Sequence, residues 1–364
     1  MSKNLHENPF DHTTIAKLEI FEDYAKAWIP TFVMYGEPVI CIFDFFAGTG
    51  YDKNGVPGSP IRILDKIREQ IDLITQRKIK VKVFLNEFDK SKCKKLAVAC
   101  DAYFTRYPEL RHLVDMQISE EDFDICFFSL LPEIQKHSSL VYLDQNGIRF
   151  SADRYLLELE KTVRTDFLYF ISSSYFWRFG NLDEFKMYVS LDMDEIKKNP
   201  YRFIHRSLIT ELRKRLPPDS KLKLYPFSLK KGANIHGIIF GASHPRAVEK
   251  FLTVAWKRNE TNGEANFDID EDRTKDQLDL FEGKRLTKIE TFQLKLRELV
   301  LAQRITNNSE AFNFALNEAH LGSHAAEELK RMKKAGLISF DGPSPLVTYE
   351  NVYKNSRLLS YKIL

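Results

Sequence analysis

Three acids, each set where an apolar run gives out, are the residues of this chain best placed for chemistry. The first closes Pro38-Val-Ile-Cys-Ile-Phe-Asp44 and leads into Phe45-Phe-Ala-Gly-Thr-Gly50. A buried parallel strand that ends in an acid and turns through glycines lets the backbone lie against a nucleoside, and the open end of the following helix favours negative charge. The spelling is neither the G-x-G-x-x-G dinucleotide pattern nor the G-x-x-x-x-G-K-[ST] phosphate loop. Phe84-Leu-Asn-Glu87 supplies the second acid, whose carboxylate can accept hydrogen bonds from both hydroxyls of a ribose. Its separation from Asp44 is 43 residues, where about 20 is usual; a turn-rich insert at 51–60 and a long first helix account for the excess. The third is Asp144 in Leu143-Asp-Gln-Asn-Gly147, where Asp144 and Asn146 are placed to take hydrogen bonds from a substrate amine. Plainer readings stand beside these: a tight strand-to-helix turn at 44–50 and a solvated strand end at Glu87.

Other chemistries find less support. Transfer to cytosine carbon needs a Pro-Cys nucleophile, and no cysteine follows a proline. His12, His205, His236 and His244 have no metal-ligand spacing and read as surface or satisfied core residues. Ser172-Ser-Ser174 lacks the G-x-S-x-G elbow of a serine hydrolase. A nuclease using acids and magnesium is a residual possibility without a paired-acid motif. Cys41, Cys93, Cys100 and Cys126 form no C-x-x-C pair, so a reducing cytoplasm is the simplest setting. No run approaches the roughly 20 apolar residues of a membrane helix, and the amino end shows no export signal.

The elements that would position these acids alternate. An opening helix is predicted over Thr14–Trp28, then strands at 38–44, 81–85, 113–118, 140–144 and 166–172, with helices from Ser59-Pro60 and over 90–103, 123–136 and 154–164. Lys221–Phe227 and His236–Ala242 read as closing strands and Pro245–Lys257 as a helix. This βαβ alternation predicts a doubly wound, mainly parallel α/β sheet. Five of the fifteen glycines (Gly36, Gly48, Gly50, Gly55, Gly58) fall between 36 and 58, a density expected where backbone approaches a ligand. Beyond an acidic stretch at 259–282, three helices are predicted over 286–303, 309–318 and 323–335, the last with Ser323 as N-cap and Gly336 as stop. Strands at 337–340 and 346–349 then flank Asp341-Gly-Pro-Ser-Pro345, which completes a winged helix. At 364 residues, two or more domains are expected: 1–258, an acidic linker 259–282, and 283–364.

The net charge of +3 hides blocks of opposite sign. Residues 1–195 carry 24 basic and 31 acidic side chains, whereas residues 196–258 carry 15 and 3. In that basic segment Arg202, Arg206, Arg213, Lys214, Arg215, Lys230 and Lys231 are interleaved with Tyr201, Phe203, Tyr225 and Phe227, a pattern suited to RNA or single-stranded DNA. Lys330 and Arg331 on the last helix would serve the same contact. A solvated charged face, and a winged helix that binds protein, are the alternatives.

Phe-Ala-Gly-x-Gly resembles the first motif of S-adenosylmethionine-dependent methyltransferases, particularly those acting on nucleic acid. Further pieces resemble the three-Cys-motif partner protein family: His12-Thr-Thr with Lys17, Phe43–Gly50, Gly58-Ser-Pro60, His244-Pro-Arg-Ala-Val-Glu-Lys250 with Trp256-Lys257, and Gly263-Glu-Ala-Asn-Phe-Asp268. The resemblance implies a Rossmann-like class I methyltransferase sheet with a carboxyl-terminal winged helix. It also implies a three-cysteine partner similar to radical S-adenosylmethionine enzymes, in bacterial, phage or defence settings. S-adenosylmethionine would then lie against Asp44, Phe45, Ala47, Gly48, Gly50 and Glu87. Where the family commonly has Asp-Pro-Phe-Gly, this chain has Asp144-Gln-Asn-Gly147, and amino-methylating enzymes carry Asp/Asn-Pro-Pro-Tyr/Phe there. Two functions follow: a methyltransferase acting on or with nucleic acid, or a non-catalytic binding protein on the same scaffold.

Overall fold

The computed structural model describes residues 9–145, 153–162, 164–171, 177–178, 180, 192–274 and 285–364. Asn146, Ser172–Ser174 and part of the acidic stretch therefore lie outside the described residues. The chain divides into two compact units, 1–243 and 244–364.

The first unit holds α1 (His12–Tyr35), β1 (Val39–Asp44), α2 (Ser59–Arg68), α3 (Ile71–Arg77), β2 (Lys80–Asn86), α4 (Lys90–Arg106), β3 (Val114–Ser119), α5 (Phe123–Lys136) and β4 (Ser138–Leu143). It continues with α6 (Asp153–Glu160), β5 (Thr165–Ile171), α7 (Met193–Lys197), α8 (Ile204–Arg215), β6 (Lys223–Lys231) and β7 (Asn234–Ala242). The seven strands form one sheet in the order β3-β2-β1-β4-β5-β7-β6. All neighbours are parallel except at β7, which runs antiparallel to both β5 and β6. The strands are nearly continuous apolar runs, β4 and β5 being buried at every position, as a sheet covered on both faces requires. This is the predicted doubly wound, mainly parallel sheet, with the strand order of a Rossmann-like methyltransferase. Its switch point lies between β1 and β4, and ligands of such sheets bind outside the carboxyl ends of the strands there.

Two features depart from the sequence reading. The expected long first helix is two helices, because Gln70 leaves helical geometry at φ −110°, ψ 15°. Helix α1 is longer than expected and runs through Pro30 to Tyr35, ending on Gly36 in the left-handed conformation. Its amino end is capped by Asp11, whose Oδ1 accepts from Thr13 N and Thr14 N at 2.9 Å. Phe21 stacks on Tyr142 of β4 at 4.1 Å, and Tyr24 donates to Asp166 Oδ2 of β5 at 2.7 Å. Burial pushes the Asp166 carboxyl up to about 7, with Tyr24 and Trp28 opposing.

On β7 a glycine is required by packing rather than by backbone conformation. A Cβ on Gly237 would fall 1.2 Å from Cε1 of His205, whose ring is held by α8 and hydrogen-bonded through Nδ1 to Ser228 at 3.1 Å. Gly237→Ala is expected to destabilise the first unit by about 3 kcal/mol or more through overpacking. Chemical denaturation measures this, and a loss below about 1 kcal/mol would show that the imidazole can leave its seat.

The second unit holds α9 (Pro245–Arg258), α10 (Lys288–Leu301), α11 (Asn308–Asn317), α12 (Gly322–Lys334), β8 (Ile338–Ser339) and β9 (Lys362–Ile363). Thr287 and Glu290 form a capping box on α10. Helix α12 starts one residue earlier than predicted: Ser323 is not its cap, and Leu321 holds that position without a side-chain bond. Gly336 ends the helix at φ 70° as expected. The wing is built differently. Residues 346–349 form no strand, because Leu346 takes φ 56° and the chain then makes a π-helical turn at Glu350–Lys354. Ile338 and Ser339 pair instead with Ile363 and Lys362 at the far end of the sequence.

Candidate cofactor and substrate site

Registers at the carboxyl edge bring the acids together. Asp44 lies beside Leu85 of β2 and Tyr142 of β4, so Glu87 and Asp144 leave their strands on either side of it. Asp44 Oδ1 accepts from Phe46 N at 3.1 Å, whereas among the described residues the buried Oδ2 has no hydrogen-bond partner. Burial raises the Asp44 carboxyl to about 7; Ser59 and Phe46 N–H oppose the rise, and the charges of Asp144 and Glu87 add to it. The Ser59 hydroxyl thus lies close to Asp44 without forming a bond of good geometry to Oδ2.

The glycine turn is fixed by its neighbours. Phe45 N donates to Tyr142 O at 3.3 Å and Ala47 N to Asn86 O at 2.9 Å. Gly48 N donates to Glu87 Oε2 at 3.0 Å, and Asp89 N to Glu87 Oε1 at 3.0 Å. Gly50 takes φ 84°, and a Cβ there would lie 2.8 Å from Ala99 of α4. Of the residues expected against a cofactor, Gly48 and Glu87 are hydrogen-bonded to each other, and the Asp44 carboxyl feels the Glu87 charge. Phe45 turns its ring into the core against Phe123 and Phe127, at 5.4 and 5.6 Å, which leaves its backbone at the turn. Ala47 is likewise buried.

Asp144 sits just past β4 and is ion-paired through Oδ2 with Lys17 of α1. The Lys17 ammonium also lies 4.2 Å over the Phe170 ring, itself stacked on His236 of β7 at 5.9 Å. Burial holds the His236 imidazole below its ordinary pKa, helped by Lys17 and Lys231. Burial likewise raises the Tyr142 phenol well above its ordinary value, with the Asp144 and Asp44 charges adding to the effect.

Sequence reasoning assigned no site role to Lys17, Asn86, Ser59 or His236. Lys17 had a signal: it occupies the apolar stripe with Phe21, Tyr24 and Trp28, and only 8% of it is exposed. Asn86 had none. Its Oδ1 accepts from Ser119 Oγ at 2.8 Å and Glu121 N at 3.1 Å, and its Nδ2 donates to Glu121 O at 3.0 Å. It ties the ends of β2 and β3 together beneath Glu87.

The basic segment is partly committed to its own fold. Arg213 donates to Leu224 O, Lys214 pairs with Glu211, and Lys231 pairs with Asp11. Arg202 and Arg206 both lie over the Phe203 ring at 4.8 Å; Arg215 and Lys230 also make contacts within the chain. In the second unit Arg331 reaches Gln293, Glu327 and Glu328, whereas Lys330 is exposed. Among the described residues no helix is long and apolar enough to cross a membrane.

Residues 266–345 match the GMT-like wHTH domain family. No curated protein matches the chain. Among solved structures, it is similar over 67% of its length to Trm1 from Pyrococcus horikoshii in complex with S-adenosyl-L-methionine, at 11% identity, 59% coverage of that chain and a TM-score of 0.36. It is similar over 57% of its length to the DszA carbon methyltransferase, at 13% identity, 48% coverage and a TM-score of 0.28. The chain thus spans about half to three-fifths of the length of these structures. The fold class rests on the strand order and the winged-helix match, not on these two likenesses.

Proposed function

We propose that the first unit binds S-adenosylmethionine at Asp44, Gly48, Gly50 and Glu87, with the backbone of Phe45 and Ala47, and that the protein methylates nucleic acid. One observation carries the reading. Three carboxylates flank the switch point; among the described residues Asp44 Oδ2 is buried without a hydrogen-bond partner, and burial, with smaller additions from the Asp144 and Glu87 charges, raises the Asp44 carboxyl to about 7. Such a cluster calls for a cationic ligand with hydroxyls. Glu87, which accepts backbone amides from Gly48 and Asp89, would take the ribose hydroxyls; Asp44 would take the ammonium end. When bound, S-adenosylmethionine supplies an activated methyl group. Asp144, with Asn146 beside it in sequence, would orient the accepting nitrogen or oxygen, a task of positioning rather than of proton transfer. Lys17 would hold Asp144 in place. The winged helix and residues 202–231 would engage RNA or DNA. Resemblance to the three-Cys-motif partner family supports a three-cysteine protein as partner, in a bacterial or phage cytoplasm.

Titration calorimetry tests the cofactor. Binding of S-adenosylmethionine in the micromolar range is expected, and no heat well above that range would refute it. A second reading, a non-catalytic scaffold, is favoured by the Lys17–Asp144 pair, since Asp144 is already engaged. Incorporation of labelled methyl into RNA, DNA or the partner separates the two readings.

A further inference from the structure

The turn after β1 and the middle of α4 wall an open groove of about 710 Å³, lined by Thr49, Tyr51 and Lys53 on one side and Lys94, Lys95 and Val98 on the other. The lysines are the groove's only uncommitted charges. Among the described residues none of Lys53, Lys94 and Lys95 takes part in an ion pair or side-chain hydrogen bond. The one acid in the lining, Asp52, is spent on the fold: its carboxylate accepts from Phe10 N, Asn54 N and Val56 N, each at 2.8 Å. Those amides hold it below the ordinary carboxylate range against the opposing effect of burial. Residues 90–100 contain four lysines and no acid, inside a region whose overall charge is negative.

Between the lysines the surface is apolar. Tyr51 is 37% exposed and Val98 71%. Cations set around an exposed ring and an aliphatic patch suit a ligand that alternates phosphate with flat, unpaired bases. A duplex would present phosphates alone and leave the ring unused. We infer that this groove binds single-stranded nucleic acid: Lys53, Lys94 and Lys95 contact phosphates, and a base lies on Tyr51 and Val98. Thr49 precedes Gly50 in the site turn, so such a strand would run beside the Asp44 end of the sheet. The inference does not depend on methyl transfer, because neither the lysines nor Tyr51 belong to the acid cluster.

Photocrosslinking tests it. The full chain is incubated with single-stranded RNA of about 12 nucleotides containing 4-thiouridine, a length on the scale of known single-strand footprints. The crosslinked peptide is mapped by mass spectrometry, and it is expected to contain Tyr51 or Val98. Fluorescence anisotropy with the same RNA and its DNA counterpart should show affinity falling with salt. In the variant Lys53→Gln/Lys94→Gln/Lys95→Gln that fall should flatten by about 2 in log–log slope, and affinity should drop at least tenfold near 100 mM salt. Tyr51→Leu should weaken binding several-fold with the slope unchanged. All substituted side chains are exposed, so melting temperatures should stay at the wild-type value. Crosslinks confined to 202–231 or 322–334 would overturn the inference, as would a triple variant that binds like the wild type, duplex bound as tightly as single strand, or no binding of any oligonucleotide. Displacement by a polyglutamate peptide as effective as by RNA would assign the groove to an acidic protein instead.

Discussion

Asp44→Asn is expected to weaken S-adenosylmethionine binding at least a hundredfold and, in the ligand-free protein, to raise stability at pH 8. Both effects come from one carboxyl group. Its folded pKa is about 7, against an ordinary value of 3.8. Between those values the folded chain keeps a proton that the unfolded chain has released, so stability falls as pH rises and the loss is complete above about 7. At pH 8 the loss is on the order of 2–4 kcal/mol. Asparagine keeps the shape without the charge, and the two proteins should be equally stable near pH 4 and diverge up to pH 7. Denaturant titrations across that range provide the measurement. Asp166, also raised to about 7, is untouched by the substitution and leaves its own slope in both proteins. Ligand affinity should move in the opposite sense. A cationic ligand selects ionised Asp44, so wild-type affinity should fall by up to tenfold per pH unit below 7, while the residual affinity of the variant stays flat. Wild-type binding by Asp44→Asn would remove Asp44 from the cofactor site.

Lys17→Met should be the most destabilising of the substitutions at the reaction end. The pair with Asp144 is shielded, with 10% of the lysine side chain and 18% of the carboxylate exposed. Removing the cation leaves a buried acid without compensation, at a cost of about 3–5 kcal/mol. Replacing both partners, Lys17→Met with Asp144→Leu, should recover most of that, because a buried pair exchanged for apolar residues is often nearly neutral. The double-mutant cycle thus separates structure from chemistry: the double variant should fold, bind the cofactor and transfer no methyl. If Lys17→Met alone melts within about 0.5 kcal/mol of wild type, the pair is relaxed by solvent and Lys17 does not hold Asp144.

The fold was legible where local signals and long-range packing agree. An apolar run ending in Asp44 and turning at Gly48 reads as a strand and a glycine turn because each step needs only neighbouring residues. Glu87 followed from the next strand, despite its long separation. The Asp144 cluster was only half legible, since its partner Lys17 lies more than a hundred residues earlier and meets it solely through the packing of α1. A lysine within the stripe of Phe21, Tyr24 and Trp28 was the one local trace. The basic segment was legible as charge but not as geometry. Its charge count is correct, yet Arg213 caps a strand carbonyl and Lys214 and Lys231 pair with acids, commitments that composition cannot register. The wing failed for a similar reason: pairing of Ile338 with Ile363 is a choice between distant segments, and the turn cluster at 341–345 pointed to the nearer one.

The packing of α1 sets an order on synthesis. This helix leaves the ribosome before the strands it packs on, so Tyr24 waits for Asp166, 142 residues later in the chain, and for Phe240 on β7, against which its ring packs at 4.9 Å. At roughly 5–20 residues per second the interval before β7 emerges is on the order of 10–40 s. Until then the face is covered only in part, Phe21 by Tyr142 of β4 but Tyr24 not yet by β7, which makes nascent α1 a natural holding point for chaperones and places completion of its packing among the last events of folding.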